Sequence, residues 1–371
     1  MTESKPTAPF PKTEYAARVK RLMRMMKRRK LDSLVILTEV NRHYFTGFKS
    51  SNGILAVTRD EEPVFFTDFR YLETARNRID VAAVRRIGAG KEKPFRQVGL
   101  LAVRGKWRKT GYEGAVPAAV FKELGAALPK EVSLEDGSGV IRDLRSVKSP
   151  REQAVIRRAA CLADALFARL TVEVRPGMSE WEIRCLIRSH IDKLSQGEAF
   201  PCIACVGSNA SRCHHEPSGR ILRPGQELLL DFGLVAGSYL SDMTRTIFYG
   251  RPSARLRKIH SIVLEANRRA IDAVRAGRKC SRVDAIGRRV IEKAGYGRYF
   301  GHSLGHGLGL EIHENPSFST RDNTHLKPGM VMTVEPGIYL PWVGGVRIED
   351  MVLVRNDGCE VLTSSPRSVV I

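Results

Sequence analysis

The sequence predicts two domains, an α/β domain over residues 1–145 followed by an α+β domain over residues 146–371. Three observations lead there. A chain of 371 residues is longer than one ordinary hydrophobic core supports. Strand-like and helix-like apolar patterns alternate through its first part. The stretch EDGSGVIRDLRSVKSPRE (135–152), with glycines, a proline and mixed charge, separates that part from one where two long helical patterns precede a run of strands.

Taken in order, RVKRLMRMMKRRK (18–30) places Val19, Leu22, Met23 and Met26 at helical spacing, which predicts a surface helix docked by its Leu/Met stripe. LDSLVILT (31–38) reads as a strand. GILAVT (53–58) and PVFFTD (63–68) read as two more, joined by the turn RDEE (59–62). YLETARNRI (71–79) and AAVFKELGAAL (118–128) read as helices. Ser149-Pro150-Arg151-Glu152 is a helix start with proline at the first helical position, and the helix is expected to run through Leu170. In RPGMSEWEIRCLIRSHI (175–191), Ser179 caps a second helix and Glu182 completes a capping box. From residue 199 strands dominate, interrupted by helices near 254–294. No short-period repeat is present, which excludes solenoids.

Composition narrows the function classes. Hydrophobic content of 43% and charged content of 27% are a globular balance. No apolar run approaches the roughly 20 residues that span a bilayer, and MTESKPTAPFPKTEY (1–15) has no apolar segment of the secretory type. Seven cysteines, an odd number in a long chain, fit reduced thiols and a cytoplasmic location better than a disulfide framework. The net charge of +21 is spread along the chain without a nucleic-acid motif, so it reads as solvated surface, with no specific nucleic acid and no membrane as partner.

LLLDFGLVAGSYLSDMTRT (228–246) carries the first chemical signal. Asp231 ends an apolar, strand-like run, and Asp242 follows another mostly uncharged one. The first basic residue after either is Arg245. A carboxylate in such a context needs a strong counter-charge. Three further groups stand in similar contexts: His306 in FGHSLGHGLGLEIHE (300–314), Glu335 in VMTVEPGIY (331–339) and Glu349 in GGVRIEDMV (344–352). One imidazole and four carboxylates suit two divalent cations that share a solvent oxygen, because the charges then nearly cancel. An oxygen-rich set with one nitrogen and no thiolate favours Mn2+ or Co2+, with Zn2+ or Fe2+ as further candidates, over copper.

The order Asp–Asp–His–Glu–Glu in these contexts resembles the "pita-bread" dinuclear metallopeptidases, and within them the branch of Xaa-Pro aminopeptidases and prolidases (Xaa-Pro dipeptidases). NRHYFTGF (41–48), TDFRY (67–71) and RSVKSPRE (145–152) are similar to that branch's accessory domain and linker, so the resemblance spans nearly the whole chain. It implies a creatinase-like accessory domain over 1–145 and a catalytic domain of pita-bread (creatinase/aminopeptidase) type over 146–371. It implies that Asp231, Asp242, His306, Glu335 and Glu349 ligate two metal ions and that Glu335 also shuttles a proton. His214 and His302 match histidines that handle protons or the oxyanion. His313, Tyr339 and Arg347 match positions that line the substrate groove. Of the two adjacent histidines in FPCIACVGSNASRCHHEP (200–217), the resemblance selects His214 over His215.

The activity so implied is hydrolysis of the peptide bond preceding proline, releasing the N-terminal residue from proline-containing peptides, with an Xaa-Pro dipeptidase as the alternative. That bond has no N–H, so a pocket shaped for the pyrrolidine ring must replace the usual backbone contact. A homodimer is expected with it. A non-enzyme alternative is an inert binding protein of the same fold that uses its basic surface; such relatives generally lose ligands, and this chain keeps all five. CIAC (202–205) invites a zinc reading, but on a strand residues 202 and 205 face opposite ways, and no second C-x-x-C is present.

Overall fold

A computed structural model of the chain describes residues 10–87 and 94–371. The first nine residues, part of the stretch read above as lacking a secretory segment, lie outside the described residues. The chain divides into two compact units, Met1–Arg145 and Ser146–Ile371.

The first unit comprises α1 (Lys12–Arg28), β1 (Ser33–Ile36), α2 (Glu39–Thr46), β2 (Ile54–Thr58), β3 (Val64–Thr67), α3 (Phe69–Arg78), β4 (Ala83–Arg86), α4 (Arg96–Arg104), β5 (Lys109–Tyr112), α5 (Ala118–Ala127), β6 (Ser133–Asp136) and α6 (Ser138–Ser146). Its six-stranded sheet has the order β4-β3-β2-β1-β5-β6, and β2 alone runs antiparallel to its neighbours. Of the stripe that its spacing predicts, α1 buries Val19, Leu22 and Met26 and leaves Met23 half-buried; Tyr15 and Arg18 are buried with them, and Lys20, Arg24, Lys27 and Arg28 are exposed. α2 is not announced by the sequence pattern. It is short and rich in aromatic and β-branched residues, and it ends at Gly47, whose φ of 70° is the left-handed cap that glycine adopts most easily.

The second unit begins with two long helices, α7 (Pro150–Glu173) and α8 (Glu180–Leu194). Both open on complete capping boxes, Ser149 with Glu152 and Ser179 with Glu182. There follow β7 (Ile203–Val206), a 3-10 turn (Gly207–Ser211), β8 (Glu227–Phe232), β9 (Val235–Ala236), β10 (Tyr239–Leu240) and β11 (Met243–Phe248). A second helix pair, α9 (Ala254–Ala273) and α10 (Cys280–Lys293), precedes β12 (Gly305–Gly307), β13 (Glu314–Phe318), β14 (Val331–Val334), β15 (Gly337–Leu340), β16 (Gly344–Arg347), β17 (Asp350–Val354), β18 (Cys359–Val361) and β19 (Val369–Val370).

The unit uses one plan twice. Leu166, Phe167 and Leu170 of α7 and Ile183 and Ile187 of α8 pack on Leu228, Leu230, Met243 and Ile247 of the sheet β19-β11-β8-β7. Ile259 and Val263 of α9 and Val283 and Ile291 of α10 pack on Met332, Val334, Val352 and Val354 of the sheet β13-β12-β14-β17-β18. Each sheet thus has one face sealed by helices, which leaves its other side for chemistry. β15 and β16 form a separate hairpin in which Tyr339 stands opposite Gly345.

Candidate metal centre and active-site cleft

Strand ends bring the acids together. Asp231, next to last in β8, pairs with Thr244 of β11, and Asp242 immediately precedes β11. Glu335 follows β14 and Glu349 precedes β17; these strands pair with Val334 opposite Asp350. His306 is the middle residue of β12, which borders β14. All five line a cleft of about 460 Å³ together with His214, His302, His313 and Arg347. One oxygen each from Asp242 and Glu349 and one ring nitrogen of His306 lie within 4.8 Å of one another. His306 Nε2 is 3.6 Å from Asp242 Oδ2 and 3.3 Å from Glu335 Oε1.

The electrostatics of the protein alone are unfavourable there. Burial, and then the charges of Glu349, Asp231 and Glu335, raise the Asp242 carboxyl well above its usual range. Burial followed by Glu335 and Asp231 does the same to Glu349. Burial pushes Glu335 up to about 8 against the pull of Arg347. Asp231 Oδ2 accepts from Arg347 Nη2 at 2.5 Å, but its buried Oδ1 has no hydrogen-bond partner among the described residues. Crowded carboxylates with an orphaned oxygen call for positive charge from a bound ion.

The histidine fits that demand. His306 Nδ1 lies 3.1 Å from the carbonyl of Gly307, which can only accept, so Nδ1 carries the proton. Burial lowers its pKa to about 4, so the ring is neutral and its Nε2 lone pair points among the carboxylates. This is the tautomer a metal requires. The residues present therefore fit divalent cations.

A hydrogen-bonded chain surrounds the acids. His302 Nδ1 donates to Ser303 O at 2.8 Å, so its Nε2 accepts from the Tyr339 hydroxyl at 2.9 Å. Burial, then Arg347, holds His302 near 4 and therefore neutral. Arg347 Nη1 donates to the Tyr339 oxygen at 2.9 Å, and Arg347 Nε donates to Thr244 Oγ1 at 3.0 Å. The Thr244 hydroxyl in turn donates to Glu349 Oε2 at 2.7 Å. Thr244 is a site residue that sequence reading missed, although its place two residues after Asp242, at the start of β11, was a usable signal. His214 and His313 are exposed at the cleft, and His313 stacks edge-on against His306 with ring centroids 4.4 Å apart.

Arg245, the nearest cation in sequence to the two aspartates, serves neither of them. It is buried against Asp350 at 2.8 Å, and the cation that reaches Asp231 comes instead from Arg347, over a hundred residues away. The cysteines of CIAC behave as small core residues. Cys202 packs among the residues beneath α7 and α8, whereas Cys205 joins Ile203, Ala210 and Leu229 on the opposite face. Burial pushes the Cys202 thiol up to about 12, and all seven cysteines are unpaired.

Comparison with known proteins agrees with this geometry. The model of metallopeptidase family M24 matches residues 154–356, and that of the creatinase/prolidase N-terminal domain matches residues 18–147. The chain is 35% identical over 359 residues to the Xaa-Pro dipeptidase of Pyrococcus furiosus, covering 95% of this chain and 99% of that protein. Among solved structures it is similar to an Xaa-Pro dipeptidase from Bacillus anthracis, at 34% identity and a TM-score of 0.91, over 96% of this chain and 100% of the other. It is also similar to an X-Pro aminopeptidase from Thermotoga maritima MSB8, at 32% identity and a TM-score of 0.86, over 95% and 99%.

Proposed function

The chain belongs to metallopeptidase family M24, with a creatinase-type N-terminal domain and a pita-bread catalytic domain, and on that premise we propose that it is an Xaa-Pro dipeptidase. The observation that carries the proposal is the cleft itself, where four carboxylates and a neutral imidazole converge beside two exposed histidines. Two divalent cations, Mn2+ or Co2+ foremost, held by Asp231, Asp242, His306, Glu335 and Glu349 would supply a water acidified to near neutrality and a Lewis acid for the scissile carbonyl.

The remaining chemistry is assigned to the protein. Glu335 takes the proton of the attacking water on a carboxylate oxygen and returns it to the proline nitrogen, which leaves as a secondary amine. His214 donates to the oxyanion of the tetrahedral intermediate. His302 has no proton to offer there, because its Nδ1–H is spent on Ser303 O and its Nε2 accepts from Tyr339. Its task is to hold Tyr339, and through Arg347 the carboxylate of Asp231. Arg347 is buried and bonded to Asp231, Tyr339 and Thr244, so His313, exposed at the cleft, is the group assigned to the substrate carboxylate.

Removal of the N-terminal residue from longer Xaa-Pro peptides, the main expectation from the sequence, is now the second reading. Similarity to the Thermotoga maritima aminopeptidase favours it, whereas the Pyrococcus furiosus and Bacillus anthracis proteins support the dipeptidase. A length series separates them: an Xaa-Pro dipeptide, an Xaa-Pro-Yaa tripeptide and an Xaa-Pro pentapeptide, compared by kcat/KM. The dipeptide should be cleaved best. A pentapeptide cleaved faster than the dipeptide would make the protein an aminopeptidase, and equal cleavage of matched Xaa-Ala peptides would reject both readings.

A further inference from the structure

Glu180 is the first residue of α8, and its side chain is wholly buried. It lies outside the cleft and has no part in the chemistry above. Yet its two oxygens accept five hydrogen bonds. Val206 N donates at 2.7 Å and Asn209 Nδ2 at 3.0 Å to one oxygen. His215 Nε2 donates at 2.9 Å, Ser218 N at 2.9 Å and Ser218 Oγ at 2.6 Å to the other. Every donor belongs to residues 206–218, the segment that leaves β7 and carries His214. Single bonds from Arg220 to Ser208 Oγ (2.9 Å) and from Arg347 to Cys213 O (3.5 Å) also reach that segment.

Most of the segment is irregular, so no sheet ladder fixes its path between Ser211 and Ser218. A buried carboxylate that gathers donors from both of its ends and its middle replaces such a ladder. The two adjacent histidines divide the work. The His215 side chain is 9% exposed and turned inward onto Glu180, while His214 is exposed at the cleft. Pinning the first imidazole fixes the backbone from which the second projects.

We propose that Glu180 is a positioning residue that, through His215, sets the aim of His214 at the cleft. The proposal rests on the reading of His214 as the donor to the oxyanion. A donor displaced by about 1 Å can cost on the order of a hundredfold in rate, so the clamp is expected to act on kcat.

The experiment measures kcat, KM, bound metal and thermal midpoint on an Xaa-Pro dipeptide for the wild type, His214→Ala, His215→Gln, Glu180→Gln and the double variant His214→Ala/His215→Gln. His215→Gln should lower kcat by about tenfold or more, with KM and metal content within about twofold of wild type, and should add nothing once His214 is alanine. A merely structural role would slow both backgrounds by the same factor. Glu180→Gln should act in the same direction and more strongly; if it does not fold, His215→Gln decides. A slow His214→Ala enzyme with unchanged or simply multiplicative His215→Gln kinetics overturns the clamp and leaves the role of His214 standing. A His214→Ala enzyme with the wild-type rate overturns both.

Discussion

Replacing Arg245 with methionine tests how the two sheets of the catalytic unit are locked together. Arg245 on β11 is 1% exposed and Asp350 on β17 is 0% exposed. Arg245 Nη2 contacts Asp350 Oδ1 at 2.8 Å and Ser365 O at 3.0 Å, while Nη1 donates to Thr244 O at 2.9 Å and to the carbonyl of Glu349. The Asp350 carboxyl titrates below its usual range: burial opposes this, but Arg245, Arg367 and Thr363 outweigh it. Removing one partner of a buried pair leaves a desolvated charge and typically costs about 3–5 kcal/mol. Arg367 still reaches Asp350 Oδ2 at 2.7 Å, so the lower end applies, about 3 kcal/mol. For a unit of this size that lowers Tm by roughly 6–12 °C.

The assay is urea and thermal unfolding of metal-free protein, with metal affinity as a second readout, because Thr244 and Glu349 flank the pair in sequence and share a hydrogen bond. Arg245→Met should lose stability and bind metal more weakly. The double variant Arg245→Met/Asp350→Leu, which removes both charges and keeps most of the volume, should recover much of the loss. An Arg245→Met protein within about 1 kcal/mol of wild type, or a double variant as unstable as the sum of the two singles, would refute the reasoning.

Three further outcomes are expected. Glu335→Gln should abolish turnover, since an amide cannot carry the proton, and measurable wild-type-like rates would show that the role is misassigned. His214→Ala should lower kcat by about 2–4 kcal/mol of transition-state stabilisation with little change in KM, read from steady-state kinetics on the dipeptide. In the N-terminal unit, burial first and then Lys49 and Arg18 lower the pKa of His43 from 6.5 to about 4. Its unfolded form therefore takes up a proton first as pH falls. The stability tied to its neutral ring is complete above about 6.5 and is lost between there and about 4, amounting to about 3 kcal/mol at most. The urea midpoint of that unit against pH should flatten in His43→Gln, and an unchanged slope would count against the account.

The elements that sequence could announce are those whose signal is local. Val19, Leu22 and Met26 recur on one helical face, and Ser149 and Ser179 each have a glutamate three residues on, so α1, α7 and α8 follow from short-range pattern alone. α2 was hidden because its residues favour strand as much as helix, and its helical state comes from packing, with Tyr44 and Phe45 fully buried. The strands β12, β14 and β17 are short, and what places them side by side is pairing between distant residues, Gly307 with Met332 and Val331 with Leu353, which no short window of the sequence contains.

The site divides along the same line. Its acids were legible because they stand out from their surroundings: Asp231 and Glu335 end apolar runs, and Asp242 and Glu349 sit in or beside strand-like stretches, where a carboxylate must be answered by charge. What answers Asp231 was not legible. Arg245 is the near cation and Arg347 the far one, and only the fold tells them apart. Opposite Leu230 on the antiparallel partner strand, Arg245 turns away from Asp231 and onto Asp350. The β15–β16 hairpin carries Arg347 back to the cleft, where Thr244 and Thr246 of β11 hold it at its side chain and its backbone. One strand thus faces two ways: Thr244 and Thr246 serve the cleft, while Arg245 between them serves the lock between sheets. The period of two that hides this from a reading by sequence distance is also what lets an eight-residue stretch, Ser241 to Phe248, contribute an acid to the centre, a threonine that steadies two of its members, and the charge that holds the two sheets in register.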